Sequence, residues 1–137
     1  MYPEELVAPM RADLTNNGFT ELKNAEAVSN SLEDSKGTAL LVVNSVCGCA
    51  AGSARPGAVA SLSGEKKPDH LYTVFAGQDG EATAKAREFL LPYPPSSPSI
   101  GLFKDGELVH FVERHHIEGR SAEMIASHLK EVYKEFC

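Results

Sequence analysis

The stretch Thr38-Ala39-Leu40-Leu41-Val42-Val43-Asn44-Ser45-Val46-Cys47-Gly48-Cys49 carries the fold in its pattern. Its first nine residues form a nearly continuous apolar run rich in β-branched side chains, as in a strand covered on both faces. Small residues with helical character follow, Ala50-Ala51-Gly52-Ser53-Ala54-Arg55, and predict a helix extending to about Ser63 with a kink at Pro56. A core strand therefore runs into a cysteine turn that opens a helix.

Upstream, Pro3 suits a first helical position and Glu4 and Glu5 suit the positive end of a helix dipole. Leu6, Met10 and Leu14 recur every four residues and predict the buried face of this helix, with Pro9 as a site of kinking and Asn17-Gly18 as its end. A short strand over Phe19 to Leu22 follows. Asn24 is a helix cap, Val28 and Leu32 form an inner face, and Gly37 is read as the stop.

Downstream, His70 to Ala76 reads as a second core strand and Glu81 to Leu90 as a helix. Pro92-Tyr93-Pro94-Pro95-Ser96-Ser97-Pro98 excludes regular structure and delivers the chain to a strand over Ser99 to Phe103. Asp105-Gly106 tolerates the positive φ angles of a tight hairpin, so Glu107 to Val112 returns antiparallel. Ser121 caps a last helix whose stripe is Ile125, Leu129, Val132 and Phe136. The order is a helix followed by βαβαβαββα. It predicts an α/β domain with a thioredoxin-like fold: a central mixed sheet flanked by helices, with an N-terminal helical extension.

The 137 residues fit one domain, residues 1–137, with no internal repeat or linker. Hydrophobic residues make up 42% and charged residues 23%, the balance of an ordinary globular chain. A formal charge of −6 without a cluster of Lys and Arg argues against a nucleic-acid surface. The acidic start lacks the features of a signal peptide, and no apolar run approaches the roughly 20 residues needed to span a bilayer. Cytoplasmic location is the expectation. Three cysteines are too few and too uneven for a disulfide scaffold, so their spacing reports reactivity or metal binding.

Unpaired amides at a helix start favour the thiolate, the reactive form of cysteine, and Cys47 occupies that position. Cys47 is accordingly the expected nucleophile and Cys49 the resolving thiol, with Gly48 letting the backbone bend between them without a Cβ clash. An internal disulfide would close a ring of about eleven atoms, in which relaxed torsions are hard to reach. Such a bond releases readily, which favours oxidising, isomerising or mixed-disulfide chemistry. Pro98 directly precedes a core strand and is the expected cis-proline beside the reactive cysteine, with Pro94 and Pro95 as competitors. Arg55 is a candidate source of positive potential, a solvent-facing arginine being the alternative. His115 and His116 are either proton carriers or idle loop residues. Cys137 is either a spare exposed thiol or a third exchange partner. A zinc site needs about four ligands, and beyond the two thiolates only His115, His116 and Cys137 offer themselves, none at finger spacing. No metal and no organic cofactor are expected.

Asn44-Ser45-Val46-Cys47-Gly48-Cys49-Ala50-Ala51-Gly52, with Ala54-Arg55-Pro56 behind it, resembles the active-site stretch of the bacilliredoxins. The resemblance continues through Val7-Ala8-Pro9-Met10-Arg11, Pro95-Ser96-Ser97-Pro98-Ser99-Ile100, Phe103-Lys104-Asp105-Gly106 and Glu113-Arg114-His115-His116-Ile117-Glu118-Gly119-Arg120, so it covers nearly the whole chain. It implies a thioredoxin-like fold and removal of bacillithiol, a low-molecular-weight thiol and here the co-substrate, from mixed disulfides on oxidised client proteins. Cys47 would attack, and Cys49 or another thiol would resolve. Gly48, Ser97, Pro98 and Arg55 are the candidate substrate-side residues. A general disulfide isomerase or oxidant, and a zinc-binding or redox-sensing interaction module, are the alternatives.

Overall fold

The computed structural model describes residues 1–33 and 35–137. In chain order its elements are α1 (Glu4–Thr15), β1 (Thr20–Glu21), α2 (Ala25–Leu32), β2 (Thr38–Asn44), a π-helical turn (Ala50–Ala54) continuous with α3 (Arg55–Ala60) and a 3-10 turn (Ser61–Ser63), β3 (His70–Phe75), α4 (Gly80–Phe89), β4 (Ser99–Lys104), β5 (Glu107–Val112), α5 (Arg114–Ile117) and α6 (Ala122–Phe136). The five strands lie in the order β1-β3-β2-β4-β5. β1 and β2 both pair with β3 in parallel, β4 runs antiparallel to β2, and β5 reverses again. Of the final hairpin only β4 opposes the parallel strands.

All seven residues of β2 are buried, as the apolar run requires of a central strand. Their alternation assigns them to two layers. Leu40 and Val42 join Leu14, Ala54, Ala58, Ile125 and Leu129 under α1, α3 and α6. Ala39, Leu41 and Val43 join Val28, Leu32, Ala82 and Ala86 under α2 and α4. Asp105 and Gly106, with φ of 50° and 85°, make the tight hairpin between β4 and β5.

Local expectations fail where a polar residue takes a buried position. The inward face of α1 is Val7, Arg11 and Leu14, while Leu6 is 47% exposed. Arg11 is buried because its guanidinium reaches Glu21 at 2.6 Å, Asp79 at 2.6 Å and Glu4 at 2.8 Å, and it lies over the Phe75 ring. A satisfied charge thus sits where a hydrophobe was expected. Pro9 does not end α1, and Pro3 lies just before it as the cap.

Gly37 does not stop α2, which ends at Leu32. It adopts φ +80° at the entry to β2, where a Cβ would meet Asp69 Oδ2. The departure from α geometry expected at Pro56 falls one turn earlier, where the Arg55 N–H bonds to the Ala50 carbonyl. Pro56 lacks an N–H and its ring crowds the carbonyl four residues back, and the widened turn accommodates both. The short α5 is an addition to the expected order. Its four residues show no apolar period, but Glu113 and His116 form a reciprocal capping box around it.

Candidate functional site

β2 ends at Asn44, two residues sooner than its apolar run, and a polar clamp begins there. Asn44 Oδ1 accepts from the Ser45 N–H at 2.9 Å and from Arg55 Nη1 at 2.9 Å. The same Arg55 nitrogen donates to the Ser45 carbonyl at 2.8 Å, and Arg55 Nε donates to Asp13 Oδ2 at 3.0 Å. Asn44 Nδ2 reaches back to the Met10 carbonyl at 3.2 Å. The strand end is therefore tied to both α1 and α3, and the residues that follow it are held in one path.

That path makes Cys47 the residue that caps a helical segment beginning at Gly48. Its carbonyl accepts from Ala50 N at 3.1 Å and Ala51 N at 3.2 Å. The Ser45 hydroxyl donates to Cys47 Sγ at 3.3 Å. Burial pushes the Cys47 thiol up, but it is outweighed by the Ser45 hydroxyl, by the Ala50 and Cys49 backbone amides and by the charge of Arg114. The thiol is thus held below its ordinary value. Cys47 and Cys49 are both partly exposed and both are free thiols. Cys49 packs against the cluster that contains Ala54, Ile117 and Ile125.

The second wall of the site is the start of β4. The Ser97-Pro98 peptide is cis, as expected, and so is Leu91-Pro92, which was not expected. Val43 is in register with Ser99, so Pro98 lies across from the end of β2 at the same end of the sheet as the cysteine turn. Arg114 connects the two walls. Its charge acts on Cys47 while its Nη1 donates to the Ser97 carbonyl at 3.1 Å and its Nε donates to Glu118 at 2.6 Å.

Three expectations need correction. Arg55 is neither solvent-facing nor available to a substrate. It is 3% exposed and its guanidinium is committed to Asp13, Asn44 and Ser45, so it positions the turn from beneath. Gly48 is not required by a clash, because a Cβ there would meet nothing within 4 Å. It leaves the surface over the turn open. Cys137 cannot be a third exchange partner within the molecule. Its thiol lies near Thr38 and Asp69 at the start of β2, and a seven-residue strand places it about 20 Å from the Cys47 end. For the same reason Cys137 does not join Cys47, Cys49, His115 and His116 in one ligand set. His116 Nδ1 accepts the Glu113 N–H, and its ring packs on His115.

Ser45 and Arg114 were missed by sequence reasoning. Ser45 could have been noticed two residues before the nucleophile. Arg114 had no such signal, because it reaches the site only through the capped turn of α5.

A sheet with this order, bearing a stabilised thiolate at a helix start opposite a cis-proline, defines a thiol-disulfide redox protein with the thioredoxin-like fold. Solved structures share that fold at low identity. Mitochondrial thioredoxin 3 from Saccharomyces cerevisiae superposes with a TM-score of 0.59 at 18% identity, over 90% of this chain and 98% of its own. Thioredoxin F from spinach chloroplast gives 0.59 at 18%, over 92% of each chain. The family described as Disulphide isomerase matches residues 2–137. The bacilliredoxin of Cytophaga hutchinsonii is 67% identical over 135 residues, 98% of this chain and 99% of its own length. That of Halalkalibacterium halodurans is 57% identical over 136 residues, 99% and 94% of the two chains. The chain belongs to the bacilliredoxin family. Among the described residues no helix is long and apolar enough to cross a membrane.

Proposed function

We propose that this redox protein removes bacillithiol, or a related low-molecular-weight thiol, from mixed disulfides on oxidised client proteins in the cytoplasm. The observation that carries the reading is Cys47 Sγ, partly exposed and favoured as a thiolate by the Ser45 hydroxyl and the amides of the helix start. The Cys47 thiolate attacks the bacillithiol sulfur of the mixed disulfide. The client leaves as a thiolate, and a Cys47-bacillithiol disulfide forms.

Two thiols are candidates for the second step. Cys49 attacking Cys47 Sγ expels bacillithiol as a thiolate and leaves the pair oxidised, for a cellular dithiol to reduce. Attack by a second bacillithiol on the adduct releases bacillithiol disulfide and restores Cys47 directly. Cys49 packs against the core cluster, so the first route turns its side chain out of that contact toward Cys47 Sγ. The substrate is held by the open surface over Gly48 and the edge at Ser97 and Pro98, where backbone can pair with an extended client segment. No organic cofactor enters these steps.

Cys49→Ser protein mixed with a bacillithiolated client should accumulate a bacillithiol adduct on Cys47, detected by intact mass, and should free the client thiol once per molecule. Cys47→Ser should do neither. Failure of the wild-type protein to release the client thiol would overturn the proposal. A second reading, general disulfide isomerase, is favoured by the description of the matching family. Reactivity with a scrambled multi-disulfide protein, and none with the bacillithiol mixed disulfide, would establish it instead.

A further inference from the structure

The chain carries a formal charge of −6, yet the segment after β5 sets a cation beside the nucleophile. Arg114 opens α5 with its guanidinium fixed on two sides. Nη1 donates to the Ser97 carbonyl at 3.1 Å and Nε to Glu118 Oε1 at 2.6 Å, while the backbone N–H reaches Ser96 Oγ at 3.4 Å. These bonds anchor the side chain to the loop that ends in the cis Ser97-Pro98 peptide, across the end of β2 from the cysteine turn. Nη2 has no partner among the described residues, and the side chain is 42% exposed.

Arg55, the other arginine at the turn, cannot act outward, because it is buried and paired with Asp13 from beneath. The surface over Gly48 is open, so a disulfide approaching Cys47 from there meets the Arg114 guanidinium beside the thiolate. Without that cation, a thiolate on an acidic protein repels an anionic disulfide and favours a neutral or cationic one. We propose that Arg114 sets the specificity of the exchange: its Nη2 holds a carboxylate on the small-thiol half of the disulfide, so that carboxylate-bearing thiols in disulfide linkage are the preferred substrates. This role rests on Cys47 being the attacking thiolate.

Two carboxylates of the chain lie close in sequence to Arg114. Glu113 is turned to the His116 N–H in the capping box, whereas Glu118 pairs with Nε and competes for the charge. Ser97 occupies Nη1 with a neutral acceptor. A carboxylate on Nη2 therefore adds a charge-assisted bond to a guanidinium that is already oriented, and little side-chain freedom is lost on binding. In the exchange the Cys47 thiolate bonds to one sulfur, the sulfur-sulfur bond breaks, and the other half leaves with the electron pair as a thiolate. Holding the carboxylate-bearing half over the turn directs the attack to its sulfur, so that the client is the half that leaves.

The test uses full-length protein with Cys49→Ser and Cys137→Ser, in which Cys47 is the one thiol left. Its rate of attack is measured on three symmetrical disulfides: dithiodipropionate, which is anionic, hydroxyethyl disulfide, which is neutral, and cystamine, which is cationic. Each rate is divided by that of mercaptoethanol, a neutral thiol, on the same disulfide. The ratio between two disulfides cancels the thiolate fraction, so a change in the acidity of Cys47 does not move it. The anionic-to-neutral ratio should exceed one and should fall toward one with added salt. Arg114→Gln should lower it by about two- to tenfold, and Arg114→Lys should restore part of the loss. Glu118→Gln, which removes the competing carboxylate, should raise it. An unchanged ratio in Arg114→Gln would overturn the assignment, and so would an equal fall in Arg114→Gln and Glu118→Gln, the mark of a loosened loop. No reaction with any of the three disulfides would remove Cys47 as the nucleophile, and with it both the proposed function and this role of Arg114.

Discussion

The two ends of β2 each carry a thiol, and their chemistry diverges. At the carboxyl end Cys47 is partly buried yet held below the ordinary thiol value. At the amino end Cys137 is the more exposed of the two, and burial of its thiol together with the charge of Asp69 pushes it up, in spite of the nearby Thr38 side chain. Exposure alone does not make a cysteine reactive. What distinguishes Cys47 is a set of donors fixed around its sulfur, and that set is fixed because Arg55 and Asn44 hold the turn from below.

The largest effect should follow from removing the clamp. Arg55→Met takes the buried guanidinium from the Ser45 carbonyl and one of two donors from Asn44 Oδ1, and should cost about 2–3 kcal/mol in denaturant unfolding. It should also move the Cys47 thiol toward the Cys137 value. If stability falls while the two thiols stay as far apart as before, the clamp is structural and does not prepare the nucleophile.

A smaller change is expected from the donors themselves. Ser45→Ala removes the hydroxyl on Cys47 Sγ and should raise its pKa, read from the pH dependence of alkylation, with little loss of stability. Arg114→Gln should raise it less, and the difference from the parent should shrink with added salt, because Arg114 acts as a partly exposed charge. The smallest effect belongs to Cys137→Ser, which should leave exchange rates unchanged. A loss of exchange there would break the contrast between the two ends.

The sign of the pH dependence also differs between them. Cys47 ionises more readily folded than unfolded, so its contribution to stability is full above the ordinary thiol range and is lost as pH falls through its own lower value. Cys137 ionises less readily when folded. Its contribution is full below the ordinary range and is lost as pH rises. Unfolding of Cys47→Ser and Cys137→Ser across mildly alkaline pH should therefore deviate from the parent in opposite directions.

The architecture could be read from sequence because its main signals are local. The apolar run of β2, the Asp105-Gly106 hairpin and the caps at Asn24 and Ser121 each announce themselves within a few residues. The cysteine turn and Pro98 were legible for the same reason. Arg11 and Arg55 were not, because a buried arginine looks like a surface one until its partners arrive from distant segments: Glu21 and Asp79 for the first, Asp13 and Asn44 for the second. Arg114 was hidden similarly, since only the fold brings α5 to the Ser97 carbonyl and the nucleophile. Elements were written in the sequence, whereas the electrostatics of the site depended on long-range pairing.

The most direct test is a thiolate titration of Cys47 and Cys137 in the same protein, with Cys49 replaced by Ser and the ultraviolet absorbance of each thiolate assigned by a further Cys137→Ser variant. The account predicts that Cys47 ionises at lower pH than a free thiol and Cys137 at higher pH, in one folded state. Coincident titrations, or a Cys47 that ionises at or above the free-thiol value, would contradict it.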